Sequence, residues 1–151
     1  MKEDLKLTTD EAKRPIEMLK ETLTDNIHFP DKRQKEEFQV KGSSKHDIFT
    51  ISIYRGAISA TKYNFNAFIA KNGIMLLELH VGDTLQHMNP GGEKISGSHW
   101  HIYSEEFGRA FAYKACDINS SDFMSNTLLF FREFNIIKPP EVYCQEEVCW
   151  H

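Results

Sequence analysis

The sequence predicts an α+β fold, an antiparallel sheet of about five strands flanked by an N-terminal and a C-terminal helix. Three observations predict it. Period-two alternation runs through residues 47–81 with an Asn72-Gly73 turn inside it. A short aromatic segment at 98–104 is followed by a glycine turn and a second alternating run. Apolar residues at helical spacing occur near both ends of the chain.

Taken in order, Thr8 and Glu11 have capping-box spacing, and Ala12, Ile16, Leu19 and Leu23 recur every three or four residues. Pro15 falls inside that pattern and removes a backbone donor, so the helix either starts near it or kinks there. Residues 29–44 read as a polar, solvated connector holding one short strand around 37–40. In 47–55, Ile48, Thr50, Ser52 and Tyr54 share one face while Phe49, Ile51 and Ile53 share the other. A second strand runs over 57–70 through Tyr63, Phe65 and Phe68. A third runs over 74–81, with Met75, Leu77, Leu79 and Val81 on one face. Short turns between the three specify an antiparallel meander.

Residues 82–98 form a long Gly-, Asp-, Asn- and Pro-containing loop, a length that is usually functional or disordered. The strand at 98–104 then pairs through Gly108 with 109–113. Ser120 or Ser121 caps a closing helix over 122–134, whose apolar face is Phe123, Leu128, Phe130, Phe131 and Phe134. Pro139-Pro140 ends regular structure.

The 151 residues are 40% hydrophobic and 26% charged, which suits one domain over 1–151 with loosely ordered tails at 1–6 and 144–151. Eighteen basic against twenty-two acidic residues give −4, excluding a broadly cationic nucleic-acid coat. No apolar run approaches the ~18 residues a membrane span needs, and no signal-peptide h-region is present, so no membrane partner is expected. Three cysteines cannot all pair within one chain, which fits a reducing, cytoplasmic setting. Cys116 reads as a small buried hydrophobe. Cys144, Cys149 and His151 lack the spacing of a structural zinc knuckle.

Chemistry concentrates in the histidines. There are seven, three of them within fifteen residues: His87, His99 and His101. On a strand His99, His101 and Tyr103 project from one face, Trp100 and Ile102 from the other. Glu78 and His80 share the less apolar face of the third strand, and Arg55 ends the first strand at a turn. A His-x-His pair on an open sheet face is often merely polar surface. It also suits a shared zinc, iron or nickel ion, or metal-free proton transfer near neutral pH. Only two ligands have a defined spacing, with His87, Glu78 and Glu105 open as a third, so neither a tightly bound metal nor any other cofactor is expected.

The run from His87 through Asn89-Pro90-Gly91-Gly92 and Ile95 to His99-Trp100-His101-Ile102-Tyr103, followed by Gly108 and Ala110-Phe111, resembles the signature of an uncharacterised family of small bacterial and prophage-borne proteins. The likeness extends back through Arg55-Gly56 to Leu7–Ala12 and forward to Pro139-Pro140. Pro15 and Gly91 depart from the family pattern; an acidic residue is more usual at the position of Gly91, which argues against that position as a ligand. A fainter likeness is to small toxins of toxin–antitoxin modules, which also pair an arginine-bearing strand with a histidine-rich one.

The expectation that follows is a mobile-element effector, a metal-independent ribonuclease or phosphodiesterase. His99 and His101 would be acid and base, His87 a third proton carrier or orienter, Arg55 the phosphate clamp and Tyr103 a support. RNA, and a cognate antitoxin or a host or phage protein, are the expected partners. One alternative is a non-enzymatic prophage-encoded inhibitor or partner-binding protein, using an acidic patch over 141–147. The other is a His-ligated metalloprotein.

Overall fold

The computed structural model describes residues 6–143. Helix α1 (Thr9–Glu17) begins as its sequence dictates: the Thr8 side chain accepts from the Glu11 N–H and the Glu11 carboxylate accepts from the Thr8 N–H. Pro15 lies inside the last turn, and the helix stops at Glu17. The expected continuation through Leu19 and Leu23 does not occur; both are exposed. The chain turns instead into β1 (Lys20–Thr22) and β2 (Asn26–His28).

The supposed connector contains a full strand, β3 (Lys35–Lys41), paired along its length with β4 (Ile48–Arg55). Phe38 and Val40 are buried, so this segment is part of the core rather than a solvated link. The meander expected from alternation is present as β4, β5 (Tyr63–Ile69) and β6 (Met75–Val81). Gly73 adopts a left-handed φ of 75° in the turn between the last two, which is why Asn-Gly sits there. The second strand is shorter than the predicted 57–70, because 57–62 is turn and loop.

The long loop carries a small hairpin of its own, β7 (Gln86–Met88) and β8 (Lys94–Ser96). The histidine strand is β9 (His99–Ile102), antiparallel to both β6 and β10 (Ala112–Lys114). Helix α2 (Phe123–Glu133) is capped by the Asp122 carboxylate, which accepts from the Ser125 N–H, rather than by Ser120 or Ser121. Structure does not end at Pro139-Pro140: β11 (Ile136–Lys138) precedes it and β12 (Glu141–Tyr143) follows, pairing with β2.

The main sheet therefore has eight strands, in the order β10-β9-β6-β5-β4-β3-β1-β11, not about five. It is antiparallel except for the β1–β11 pair. The additional strands are short or polar; the sequence signalled only the middle of β3, around 37–40, and each is ordered by pairing with a neighbour. Both helices contribute to the core on one face of this sheet. Phe130 stacks on Phe65 and Trp100, while Phe131 and Phe134 meet Phe38 and Phe49 edge-on. Leu128, expected in that face, is exposed. Among the described residues no helix is long and apolar enough to cross a membrane.

The opposite face of the central strands carries Thr50, Ser52 and Tyr54, then Asn64 and Asn66, Glu78 and His80, and finally His99 and His101. The β7–β8 hairpin lies beside this polar face at its β9–β10 end. It is latched by Asn89, whose side chain accepts from the Ala112 N–H at 2.7 Å and donates to the Ala112 carbonyl at 2.9 Å.

Candidate metal centre

Register decides the site. His80 on β6 stands directly opposite His99 on β9, and Glu78 opposite His101. Alternation puts all four on the polar face, and the hairpin adds His87. The imidazole centroids lie 5.1 Å apart for His80–His99, 4.8 Å for His80–His101 and 5.0 Å for His99–His101. His87 is 4.9 Å from His101 and 5.6 Å from His99. One ring nitrogen from each of His80, His99 and His101 lies within 4.8 Å of one from each of the others.

Every ring is held by one nitrogen. His99 Nδ1 donates to the Gly97 carbonyl at 2.9 Å, and His101 Nδ1 to the Arg109 carbonyl at 2.7 Å. His87 Nε2 donates to the Ala110 carbonyl at 2.8 Å. His80 Nε2 donates to Glu78 Oε1 at 3.0 Å. Carbonyl and carboxylate oxygens only accept, so each contact identifies the nitrogen that carries a proton and, in the neutral ring, makes the other nitrogen the acceptor.

Burial disfavours charge on the two innermost imidazoles. Burial pushes the His101 imidazolium down to about 4, assisted by the neighbouring His80 and His99. His99 is lowered too, chiefly by burial, with His80 and His87 adding to it. Burial alone would raise the Glu78 carboxyl. Hydrogen bonds from His80 and Arg109, together with the Arg109 charge, outweigh that and hold it below the usual carboxylate range. Arg109 grips the buried carboxylate with two donors, Nε to Oε2 at 2.7 Å and a second guanidinium nitrogen to Oε1.

Clustered imidazoles, each oriented by a carbonyl or carboxylate, are a donor set and supporting shell that could hold a transition-metal ion. Residues 7–136, which include all of these groups, match a family of unknown function, DUF6978. The chain belongs to that family. No curated protein and no solved structure matches it. For this DUF6978 member the geometry therefore carries the functional argument.

Of the residues singled out by sequence, the fold brings His87, His99 and His101 together and leaves Arg55 and Tyr103 elsewhere. Arg55 belongs to the core face of β4, where it is buried, donates to the Ala60 and Pro30 carbonyls and lies over the Phe123 ring. Tyr103 falls beyond the end of β9, so alternation no longer applies. It packs against the core, and its hydroxyl donates to the Leu7 carbonyl and accepts from the Leu7 N–H. Glu105 is exposed, with its N–H bonded to Thr9, and is no ligand here. Cys116 is exposed rather than buried. Cys144, Cys149 and His151 lie outside the described residues, as do the acidic segment beyond Tyr143 and, except for Lys6, the expected tails.

His80, Arg109 and Asn89 take parts that sequence reasoning did not assign. Alternation had already placed His80 with Glu78 on the polar face. The missing information was the pairing of β6 with β9 and its register.

Proposed function

We propose that this protein is a His-ligated metalloprotein, holding one divalent ion of the zinc, iron or nickel class through His80, His99 and His101, with His87 as the adjoining fourth imidazole. The observation that supports it best is the set of anchored tautomers: all four rings spend one N–H on a fixed oxygen and keep the other nitrogen free. Glu78 completes a carboxylate–histidine–metal relay, with Arg109 holding the carboxylate. Held by these imidazoles with a water completing its shell, such an ion would lower the pKa of that water to ~7 and supply a nucleophile at neutral pH.

The metal-free ribonuclease reading is the weaker one. A general acid must start protonated, whereas burial holds both His99 and His101 below the ordinary imidazole pKa. Arg55, its phosphate clamp, faces the core. The mobile-element likeness makes the metalloprotein an effector whose loaded form is to be assayed for RNA cleavage and growth inhibition.

Elemental analysis of protein purified without chelators is the direct test. About one equivalent of a transition metal is expected in wild type, with loss in His99→Ala and His101→Ala. Absence of metal as purified, together with no zinc uptake in equilibrium dialysis, overturns the reading.

A further inference from the structure

The four imidazoles do not stand on one scaffold. His80, His99 and His101 belong to β6 and β9, both interior strands of the eight-stranded sheet. His87 belongs to the β7–β8 hairpin, a separate two-stranded ladder. No side chain of residues 83–97 joins the hydrophobic core: Ile95 is the one buried apolar residue there, and it lies outside the core cluster. Leu85 is half-buried and Met88 is exposed.

The hairpin's backbone bonds close on the hairpin itself. The Gly97 N–H donates to the Leu85 carbonyl at 2.8 Å and the Asn89 N–H to the Glu93 carbonyl at 2.7 Å. Three side chains tie it to the segment 110–114. His87 Nε2 donates to the Ala110 carbonyl, Asn89 pairs with both backbone groups of Ala112, and Lys114 Nζ donates to the Ser96 carbonyl at 2.7 Å. Gly82 and Gly97 bracket the unit, Gly97 with a left-handed φ of 85°. A unit held by a few polar ties and little buried apolar surface opens at a lower free energy than the sheet it rests on.

Coordination chemistry gives that opening a consequence. Four imidazoles close the shell of a tetrahedral ion, whereas three leave a position for water or substrate. We propose that the β7–β8 hairpin is a latched lid that switches the centre between a closed, four-imidazole state and an open, three-imidazole state. His87 is the ligand that leaves, Asn89 is the main latch and Lys114 a second one. The inference rests on the metal reading for what His87 closes, and on the hairpin's own contacts for its opening.

Two measurements separate those parts. Hydrogen exchange on metal-free protein reads the opening through the Ala112 N–H, which is bonded to Asn89 Oδ1. That proton should exchange about 100-fold or more faster than the N–H groups of Phe65 and Leu79 in the sheet. It should exchange several-fold faster still in Lys114→Met, although Lys114 touches Ser96 and not Asn89. Exchange at Ala112 that is as slow as at Phe65, or unmoved by Lys114→Met, removes the lid.

Cobalt-loaded protein is then titrated with azide while its visible ligand-field bands are followed. Azide needs the open position, so its apparent affinity scales with the open fraction. His87→Ala should bind azide about tenfold or more tighter than wild type, with Lys114→Met and Asn89→Ala between the two. Equal azide affinity in wild type and His87→Ala overturns the switch. If cobalt fails to load while Ala112 exchange still responds to Lys114→Met, the metal reading and the switch fall together, and the hairpin is a lid over bare imidazoles.

Discussion

The Asn89 side chain pairs with the Ala112 backbone through both its oxygen and its nitrogen, imitating one rung of a β-ladder. That rung ties the β7–β8 hairpin to the edge strand of the main sheet and fixes how far His87 stands from His99 and His101. Both Ala112 backbone groups are buried, so Asn89→Ala leaves them unpaired at a cost of about 1–3 kcal/mol each way they fail to find water. The expected outcome is weaker zinc binding with His80, His99 and His101 still engaged. Isothermal titration should show a reduced affinity close to that of His87→Ala. Wild-type affinity in both variants would remove His87 from the site.

Glu78 offers a second test, because it touches no other imidazole of the cluster by hydrogen bond than His80. Glu78→Gln keeps the size but loses the charge that faces both His80 and Arg109. Outer-shell partners of this kind typically contribute 10–100-fold in metal affinity. Competition against a chromophoric chelator should show a loss in that range. Arg109→Ala should be the more harmful to folding, since it strips the guanidinium from a carboxylate that is 1% exposed.

The metal-free protein should weaken toward acid. His101 has a folded-state pKa of about 4 against an ordinary value near 6.5, so the unfolded chain binds more protons between those pH values. Stability from this group is therefore complete above about pH 6.5 and declines as pH falls toward 4, by on the order of 3 kcal/mol. His99 shifts in the same direction and adds to the decline. Urea midpoints measured across this range should drop, and the drop should shrink in His101→Gln.

Arg55 and the histidines separate cleanly in their expected effects. Arg55→Lys loses the fork that reaches both Ala60 and Pro30 and the contact with the Phe123 ring. A destabilisation of about 1–3 kcal/mol is expected by thermal or urea unfolding, with metal content per folded molecule unchanged. A phosphate clamp at the site would give the reverse pattern, lost function at full stability.

Lys20 is the strongest structural prediction. It is 1% exposed, donates to the carbonyls of Ile16, Met18 and Phe134, and lies 3.7 Å above the Phe134 ring. The one ammonium thereby joins the end of α1 to the end of α2. Lys20→Met keeps the stem but takes the ammonium donor from the Met18 and Phe134 carbonyls, while Ile16 keeps a bond from the Asn135 side chain, and about 2–3 kcal/mol should be lost. Differential scanning calorimetry measures it directly.

What the sequence determined by itself was local. Alternation and the Asn72-Gly73 turn specified β4, β5 and β6 with their faces. Thr8 and Glu11 specified the start of α1, and the phenylalanines specified the core-facing side of α2. These signals are carried by neighbouring residues, where backbone geometry and one-sided burial leave a period that can be read. Tertiary structure decided the rest. The short strand expected around 37–40 gives no sign that it extends over Lys35–Lys41 and pairs on both sides, with β4 and β1. Nothing near Arg55 announces that a guanidinium at the end of an alternating strand turns inward between aromatic rings. The site itself was half legible: His99 and His101 share a face by spacing alone, and His87 lies close in sequence. His80 joins them only because β6 and β9 pair antiparallel in one particular register, and His87 only because Asn89 borrows the backbone of Ala112. Pairing register is set by how whole strands bury their apolar faces against α2, a long-range energy that no local pattern encodes.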